Sequence, residues 1–542
     1  MLRKLPNYQK YYIDINDKWQ SFAQAGVGNG IKKIFFLLVV SIFVCIGVLF
    51  LSGQEQMETA GNMTLFINGT IYLDPYHTAS NLLVENGTII ALNVDSRLYP
   101  NAKIVDLAGA YAYPGFSDSH VHLMETGYVL QTGVNLIGCN NSDQIAERLA
   151  EKAKTVPEGE LILGVGFSLR NYDNWTLEDL AKIDNATGNR PTFLGDKLGH
   201  NAIVNSATIR LANLTPETSV PLGGTMGIEN GQLTGMMRES ALIMPWNKIF
   251  EMFKYNDIKS GTSSMLNLWA SMGYTSIVDL MGGPGARFMC PEVFYELEKE
   301  GNLPVRVNYC YTIFSLSDVD EAAKYMGNDT DMVRFVGAKI FVDGAYAGGQ
   351  AWTSWINEQG GQGLQEIYTN DSGGPELNLN RIVARAEEYG MNVHYHTQGD
   401  KAIDAVLDAL DQVREEKGEI NGTHTLIHLA FLSDSQIERI KSFNGHVVTT
   451  TQPGFWNVQS DSAYYYGERA AQAYPVKKMI DSGISVGIST DFSVSPLEYS
   501  YPTAIIGIAE RGGASGEHSP LSAQEIVSGL TIGSARTTGK DD

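Results

Sequence analysis

Apolar and polar positions change rhythm twice along the chain. Residues 34–51, IFFLLVVSIFVCIGVLFL, carry no charge, and Ser41 alone interrupts the apolar run. A helix of that length spans about 27 Å at its usual rise, enough to cross a bilayer core. From Met63 to Tyr113 short apolar runs alternate with Asn-Gly turns in LFINGTIYL, NLLVENGTIIAL and AKIVDLAGAYAY, a pattern that predicts antiparallel hairpins. Beyond Pro114 apolar strand-like runs (YTSIVDL, PVRVNYCY, VRFVGAKIFVDG, MNVHYHT, THTLIHL, GHVVTTTQ, SVGISTD) are separated by stretches with helical periodicity, such as KAIDAVLDALDQVREEKG from Lys401. Repeated βα units and a parallel sheet follow from that alternation. An open doubly wound sheet and a closed barrel both fit it. No G-x-G-x-x-G follows a first strand and no Walker A motif exists, whereas ionisable residues recur at strand carboxyl ends, the active-site rim of a TIM-like (β/α)8 barrel.

Charge orients this arrangement. Positions 1–33 carry Arg3, Lys4, Lys10, Lys18, Lys32 and Lys33 against Asp14 and Asp17, so the tail is expected in the cytoplasm and 34–51 is expected to be an uncleaved transmembrane signal anchor. After a linker at 52–62, everything that follows is then extracellular or lumenal. Sequons beginning at Asn62, Asn68, Asn86, Asn140, Asn174, Asn185, Asn213, Asn328, Asn370 and Asn421 agree with a secretory route and a glycoprotein. The formal net charge of -22 over 542 residues argues against a nucleic-acid partner, and a hydrophobic fraction of 43% allows a large core. Four cysteines are too few for a disulfide scaffold; Cys290 and Cys310 are open to pairing outside the cell, with Cys139 free and Cys45 in the bilayer.

The chemistry concentrates in a few motifs. In PGFSDSHVHL, His120 and His122 are two apart at the end of an apolar strand and share one face, so both imidazoles can meet one ion of zinc type. His396 ends MNVHYHT, His428 lies in THTLIHLA and Asp491 ends SVGISTD, each in a separate βα unit, while Lys339 is embedded in the apolar strand VGAKIFVDG. A rival pattern, GISVG around Ser485, matches G-x-S-x-G. Ser485 opens an apolar run instead of closing one, which a nucleophile elbow does not allow.

The series PGFSDSHVHL, GHNAIVNSA, AKIFVDGAYAG, HTQGDKAIDAVLDAL, TLIHLA with TTTQPGFW, and GISTDFSV resembles the motifs of the metal-dependent amidohydrolases, in particular the YtcJ-like branch, from about Met63 to the carboxyl end. The resemblance implies a metal pocket of His120, His122, His396, His428 and Asp491. Lys339 stands where many relatives carry a carboxylated lysine, so one ion, or two if Lys339 is carboxylated, is implied. It further implies hydrolysis of a non-peptide carbon–nitrogen bond in a small amide-type molecule, with Asp491 as proton shuttle, His428 or His200 helping to hold the oxyanion alongside the metal, and His200 touching substrate. A mononuclear deaminase uses a closely similar site, and a silent barrel serving adhesion is the non-enzymatic alternative, disfavoured by the intact metal set. Glu239, Asp343 and Asp400 also lie in these motifs, the two aspartates as carboxylates that tie loops. Relatives continue past a segment like LTIGSARTTGKDD, so residues 63–113 are expected to form the N-terminal part of a small β-sandwich lacking its C-terminal half, beside a barrel at 114–542.

Overall fold

The computed structural model describes residues 62–539 apart from 75, 169–173, 198, 282–289, 459–461, 493–496, 514–515 and 517. The tail at 1–33, the apolar segment 34–51 and the linker up to residue 61 lie outside the described residues. Among the described residues no helix is long and apolar enough to cross a membrane. The chain divides into two units, Met1–Pro114 and Gly115–Asp542.

The first unit holds two small sheets. One orders Thr88–Leu92, Leu82–Glu85, Met63–Ile67 and Lys103–Asp106; the other orders Thr78–Ala79, Thr70–Tyr72 and Tyr111–Ala112. The Asn-Gly signal is right at 86–87, where Glu85 pairs with Thr88 around two residues of positive φ, 51° and 81°. It misleads at 68–69. There the chain leaves one sheet for the other, and Met63–Ile67 pairs parallel with Lys103–Asp106 instead of folding back on Thr70–Tyr72. Asp106 Oδ1 accepts from Asn68 Nδ2 at 2.9 Å, and Leu107 packs so tightly on Gly69 that a Cβ there would lie 2.6 Å from its Cδ1. Tertiary contacts thus override the local turn.

In the second unit eight parallel strands follow in chain order: β1 Phe116–Val121, β2 Tyr274–Asp279, β3 Arg306–Thr312, β4 Val333–Phe341, β5 Val393–Thr397, β6 His424–His428, β7 Val447–Thr451 and β8 Val486–Ile488. A parallel bridge between Val121 and Phe492 brings the ends of this sheet together, so the barrel is nearly closed. β5, β6, β7 and β8 are buried along their whole length, as strands covered on both faces are, so that even their threonines and histidines are enclosed. The helix Asp400–Lys417 shows why the intervening segments are helical. Ile403, Val406, Leu407, Leu410 and Val413 form one buried stripe at three and four spacing, and Gly418 ends it at φ 86°.

Between β1 and β2 the chain departs from the βα rhythm expected beyond Pro114. Residues 134–238 build a separate six-stranded mixed sheet, ordered Thr225–Glu229, Gln232–Arg238, Asn201–Val204, Thr192–Asp196, Ile162–Phe167 and Val134–Asn135. Leu136, Ile145, Leu149, Ile162, Phe167, Trp175, Leu194, Ile203 and Met236 give it its own core. Cys139, Cys290 and Cys310 are free and buried, so the Cys290–Cys310 pairing that the sequence leaves open is not formed; Cys310 is packed on Val278, Leu280, Val336 and Ile427. Burial pushes the Cys290 thiol up to about 12, which leaves it an inert apolar group.

Candidate metal and active site

β1 delivers His120 at its end and His122 just beyond it, β5 delivers His396, β6 ends on His428, and Asp491 follows β8. These five side chains converge. His120 Nε2 lies 3.3 Å from His122 Nε2, and Asp491 Oδ1 lies 3.2 Å and 3.5 Å from those two atoms. His428 Nε2 lies 3.1 Å from His396 Nδ1. Ligand atoms of His120, His428 and Asp491 all fall within 4.8 Å of one another. All five side chains are buried or nearly so.

Backbone geometry sets this convergence. Asp491 N–H donates to His120 C=O and His122 N–H to Phe492 C=O, both at 2.9 Å, so the seam that closes the barrel also fixes three of the five groups. Asp491 at φ 51° and His428 at φ 75° occupy the left-handed region, which non-glycine residues enter at a cost. Behind the seam, Asp118 accepts from Thr490 N at 3.0 Å, Thr490 Oγ1 at 2.7 Å and Trp269 Nε1 at 3.0 Å. Gln452 Oε1 lies 2.8 Å from His428 Nδ1, while Gln452 Nε2 donates to Ser489 Oγ at 2.9 Å; that donation orients the amide so that His428 Nδ1 carries hydrogen and Nε2 a lone pair.

The electrostatics suit a cation. Burial lowers the pKa of His120 to about 3 and holds His396 and His428 well below the ordinary histidine range, so all three favour the neutral form that ligates metal. Burial opposes charge on Asp491 as well, but the imidazoles of His120 and His122 outweigh it and keep the carboxylate ionised. His120 Nδ1, His122 Nδ1 and His396 Nε2 are buried without a hydrogen-bond partner. Facing lone pairs on neutral imidazoles, with one carboxylate, form a donor set that fits a divalent metal.

Lys339 lies on β4 in the same interior. Its Nζ is buried without a partner, 4.8 Å from the centre of the Phe341 ring, and burial lowers its pKa to about 7, which makes the neutral amine accessible near neutral pH. His394, two residues before His396 and on the same strand face, has both ring nitrogens buried and unpartnered. His200 comes from the inserted sheet: its Nδ1 lies 2.6 Å from Glu239 Oε2 and its ring centre 5.4 Å from that of His396. Asp343 accepts from the backbone N–H groups of Trp352, Gln398 and Gly399 at 2.8–2.9 Å, and Asp400 Oδ1 accepts from Ser354 N at 2.9 Å; both tie loops. Ser485 precedes β8 with its Oγ buried and unpartnered, away from any elbow. Asp118 and Gln452 carry no motif of their own in the sequence; the signals that point to them are position alone, Asp118 two residues before His120 and Gln452 directly after β7.

A profile of the amidohydrolase family matches residues 103–542. Among curated relatives, the N-substituted formamide deformylase of Arthrobacter pascens is 23% identical over 489 residues, covering 85% of this chain and 86% of that protein. The putative amidohydrolase YtcJ of Bacillus subtilis (strain 168) is 25% identical over 435 residues, covering 77% of each chain. A metal-dependent hydrolase from Pyrococcus furiosus, known as a crystal structure, superposes with a TM-score of 0.65 at 27% identity, over 89% of this chain and 95% of its own. The profile match spans most of the sequence and the relatives include hydrolases of this kind: the chain belongs to the amidohydrolase family and is a hydrolase of carbon–nitrogen bonds.

Proposed function

We propose that the enzyme hydrolyses the amide-type bond of a small, non-peptide molecule, using a divalent metal of zinc type held by His120, His122, His396, His428 and Asp491. The observation that carries this reading is the position of Asp491 Oδ1, within 3.2–3.5 Å of two imidazole nitrogens. A metal bound by these residues supplies a Lewis acid that polarises a carbonyl and lowers the pKa of water. The chain's own groups do the rest. Asp491, kept ionised, accepts the proton of the attacking water at a carboxylate oxygen and returns it to the leaving nitrogen. His428 gives its Nδ1–H to Gln452 and so would present the Nε2 lone pair to the metal, not a donor to the oxyanion, and the barrel wall excludes bulk water. Lys339, a buried amine whose pKa burial lowers to about 7, is suited to carboxylation and to holding a second ion. The formamide deformylase among the relatives makes N-substituted formamides the first substrates to try.

We further propose that the catalytic unit lies on the extracellular or lumenal side of a membrane, anchored by 34–51 and glycosylated. All ten sequon asparagines that support this are exposed. Turnover of a panel of N-substituted formamides, N-acyl amines and cyclic amides by the zinc-loaded protein tests the activity. Hydrolysis of at least one class, abolished by chelation, is expected; no turnover of any class overturns it.

A further inference from the structure

Among the described residues, the two end strands of the barrel sheet, β1 and β8, meet only at their carboxyl ends, through the Val121–Phe492 bridge and the backbone bonds of Asp491 and His122. On the amino-terminal side of that join, the π-helical turn Gly529–Gly533 and Ser534 lie against both strands. Ser534 Oγ is 3.0 Å from the carbonyl oxygen of Ile488 on β8 and 3.2 Å from Ser119 Oγ on β1. The approach is so close that a Cβ on Gly533 would lie 2.1 Å from the carbonyl oxygen of Val486. The turn thus stands in for the strand pairing that β1 and β8 lack there, and single π turns recur at functional sites.

From Ser534 a line of buried hydroxyls runs to the metal donors. Ser119 Oγ lies 2.7 Å from Thr450 Oγ1 on β7. That contact is made across β8 because Gly487, opposite Thr450 in register, has no side chain; a Cβ there would lie 3.1 Å from Ser119 Oγ. Thr450 Oγ1 donates to Ser489 Oγ at 3.2 Å, Gln452 Nε2 donates to the same oxygen at 2.9 Å, and Gln452 Oε1 lies 2.8 Å from His428 Nδ1. Ser119, Thr450, Gln452, Ser489 and Ser534 are each at most 1% exposed. Packing does not call for these polar groups. Val278, Cys310, Val336 and Ile427, from β2, β3, β4 and β6, form an apolar cluster, and branched apolar side chains usually fill such barrels.

The line ends on a ring whose direction matters. His428 has a left-handed backbone at φ 75°, and with Nδ1 on Gln452 its Nε2 points among the metal donors, 3.1 Å from His396 Nδ1. We infer that Thr450 and Ser489 are positioning residues: Thr450, braced through Ser119 by the Gly529–Ser534 turn, holds Ser489, Ser489 holds the Gln452 amide by its nitrogen, and the amide oxygen sets the plane of His428. From Ser534 to Gln452 the line contains no titratable group. The role rests on the metal reading above.

The test measures zinc affinity of the metal-stripped full chain by competition with a chromogenic chelator, which reads the site without any substrate. Thr450→Val keeps the shape and removes the hydroxyl, Thr450→Ser keeps the hydroxyl and removes the methyl, and Ser489→Ala breaks the next link. Thr450→Val and Ser489→Ala are each expected to weaken zinc binding about 10- to 100-fold, the usual loss when a group behind a metal ligand is removed, with Thr450→Ser within about twofold of wild type. Gln452→Met severs the last link, so adding Thr450→Val to it is expected to cost nothing further. Wild-type affinity in Thr450→Val or in Ser489→Ala overturns the role of that residue. Equal weakening by Thr450→Val and Thr450→Ser, the pattern of packing, or losses that add in the double variant overturns the line as a whole. A wild type that binds no zinc overturns the metal reading and this role with it.

Discussion

Asp491 and His120 are joined twice across the seam that closes the barrel: Asp491 N–H donates to His120 C=O at 2.9 Å, and Asp491 Oδ1 lies 3.2 Å from His120 Nε2. Closure of the fold and assembly of the metal site are therefore one event. The left-handed backbone of Asp491 is tolerated because it is fixed by that bond and by Asp118 through Thr490.

Asp491→Asn retains the shape but removes the ionised acceptor. Its kcat/KM on any amide substrate is expected to fall about 10²- to 10⁴-fold, the range for loss of a general acid–base group, with Tm near the wild-type value. Turnover equal to wild type would remove Asp491 as the proton carrier.

Asp118 touches no substrate in this account. Asp118→Ala deprives Trp269 Nε1, Thr490 N and Thr490 Oγ1 of their acceptor in a fully buried setting. The cost is expected to be about 2–5 kcal/mol, read as a lowered denaturation midpoint, with weaker metal retention because Thr490 precedes Asp491. An unchanged midpoint would show that the seam does not depend on it.

At the opposite end of β6, His424 Nε2 lies 2.7 Å from Glu387 Oε1 and His424 Nδ1 lies 2.8 Å from Tyr395 Oη. Burial works against the Glu387 charge, but His424 and the backbone N–H groups of Asn421 and Gly422 lower its pKa below the ordinary 4.5. A carboxylate lowered on folding contributes stability that is present above its unfolded value and lost as pH falls through its folded value. Urea denaturation should therefore find Glu387→Gln less stable than wild type at pH 7, with the difference shrinking below pH 4.5. A gap constant with pH would exclude an ionised Glu387.

Exposure of all ten sequon asparagines contrasts with Asn201, Asn205, Asn308, Asn357 and Asn378, which are buried and lie outside sequons. Expression in a eukaryotic secretory host should give a product that loses several kilodaltons on treatment with an N-glycosidase. No mobility shift would argue against the lumenal placement.

The barrel and the convergence of its histidines on Asp491 are legible in the sequence because both depend on short-range rules. β-branched and apolar residues mark the strands, and His120, His122, His396, His428 and Asp491 stand at or just past their carboxyl ends, where alternation and the βα repeat bring them together. What was not legible depends on contacts distant in sequence. The inserted sheet shares strand and helix lengths with the barrel, so its text does not separate from the βα repeat. The chain at Asn68-Gly69 departs from its local turn signal because Leu107 and Asp106, some forty residues later, decide the path. Glu239 beside His200, and Gln452 behind His428, become neighbours through strand register and loop placement, which spacing along the chain does not encode.

Hydrolysis of the carbon–nitrogen bond is expected to require a metal held by the His120–His122–His396–His428–Asp491 cluster. The most direct test is the metal content of the purified full chain by plasma mass spectrometry, followed through chelation and re-addition with hydrolysis assayed at each stage, beside a His120→Ala/His428→Ala variant. At least about one equivalent of a zinc-type ion per wild-type chain is expected, lost and regained in step with activity and absent from the variant. Less than about one equivalent, or hydrolysis that survives complete removal of metal, would contradict the account.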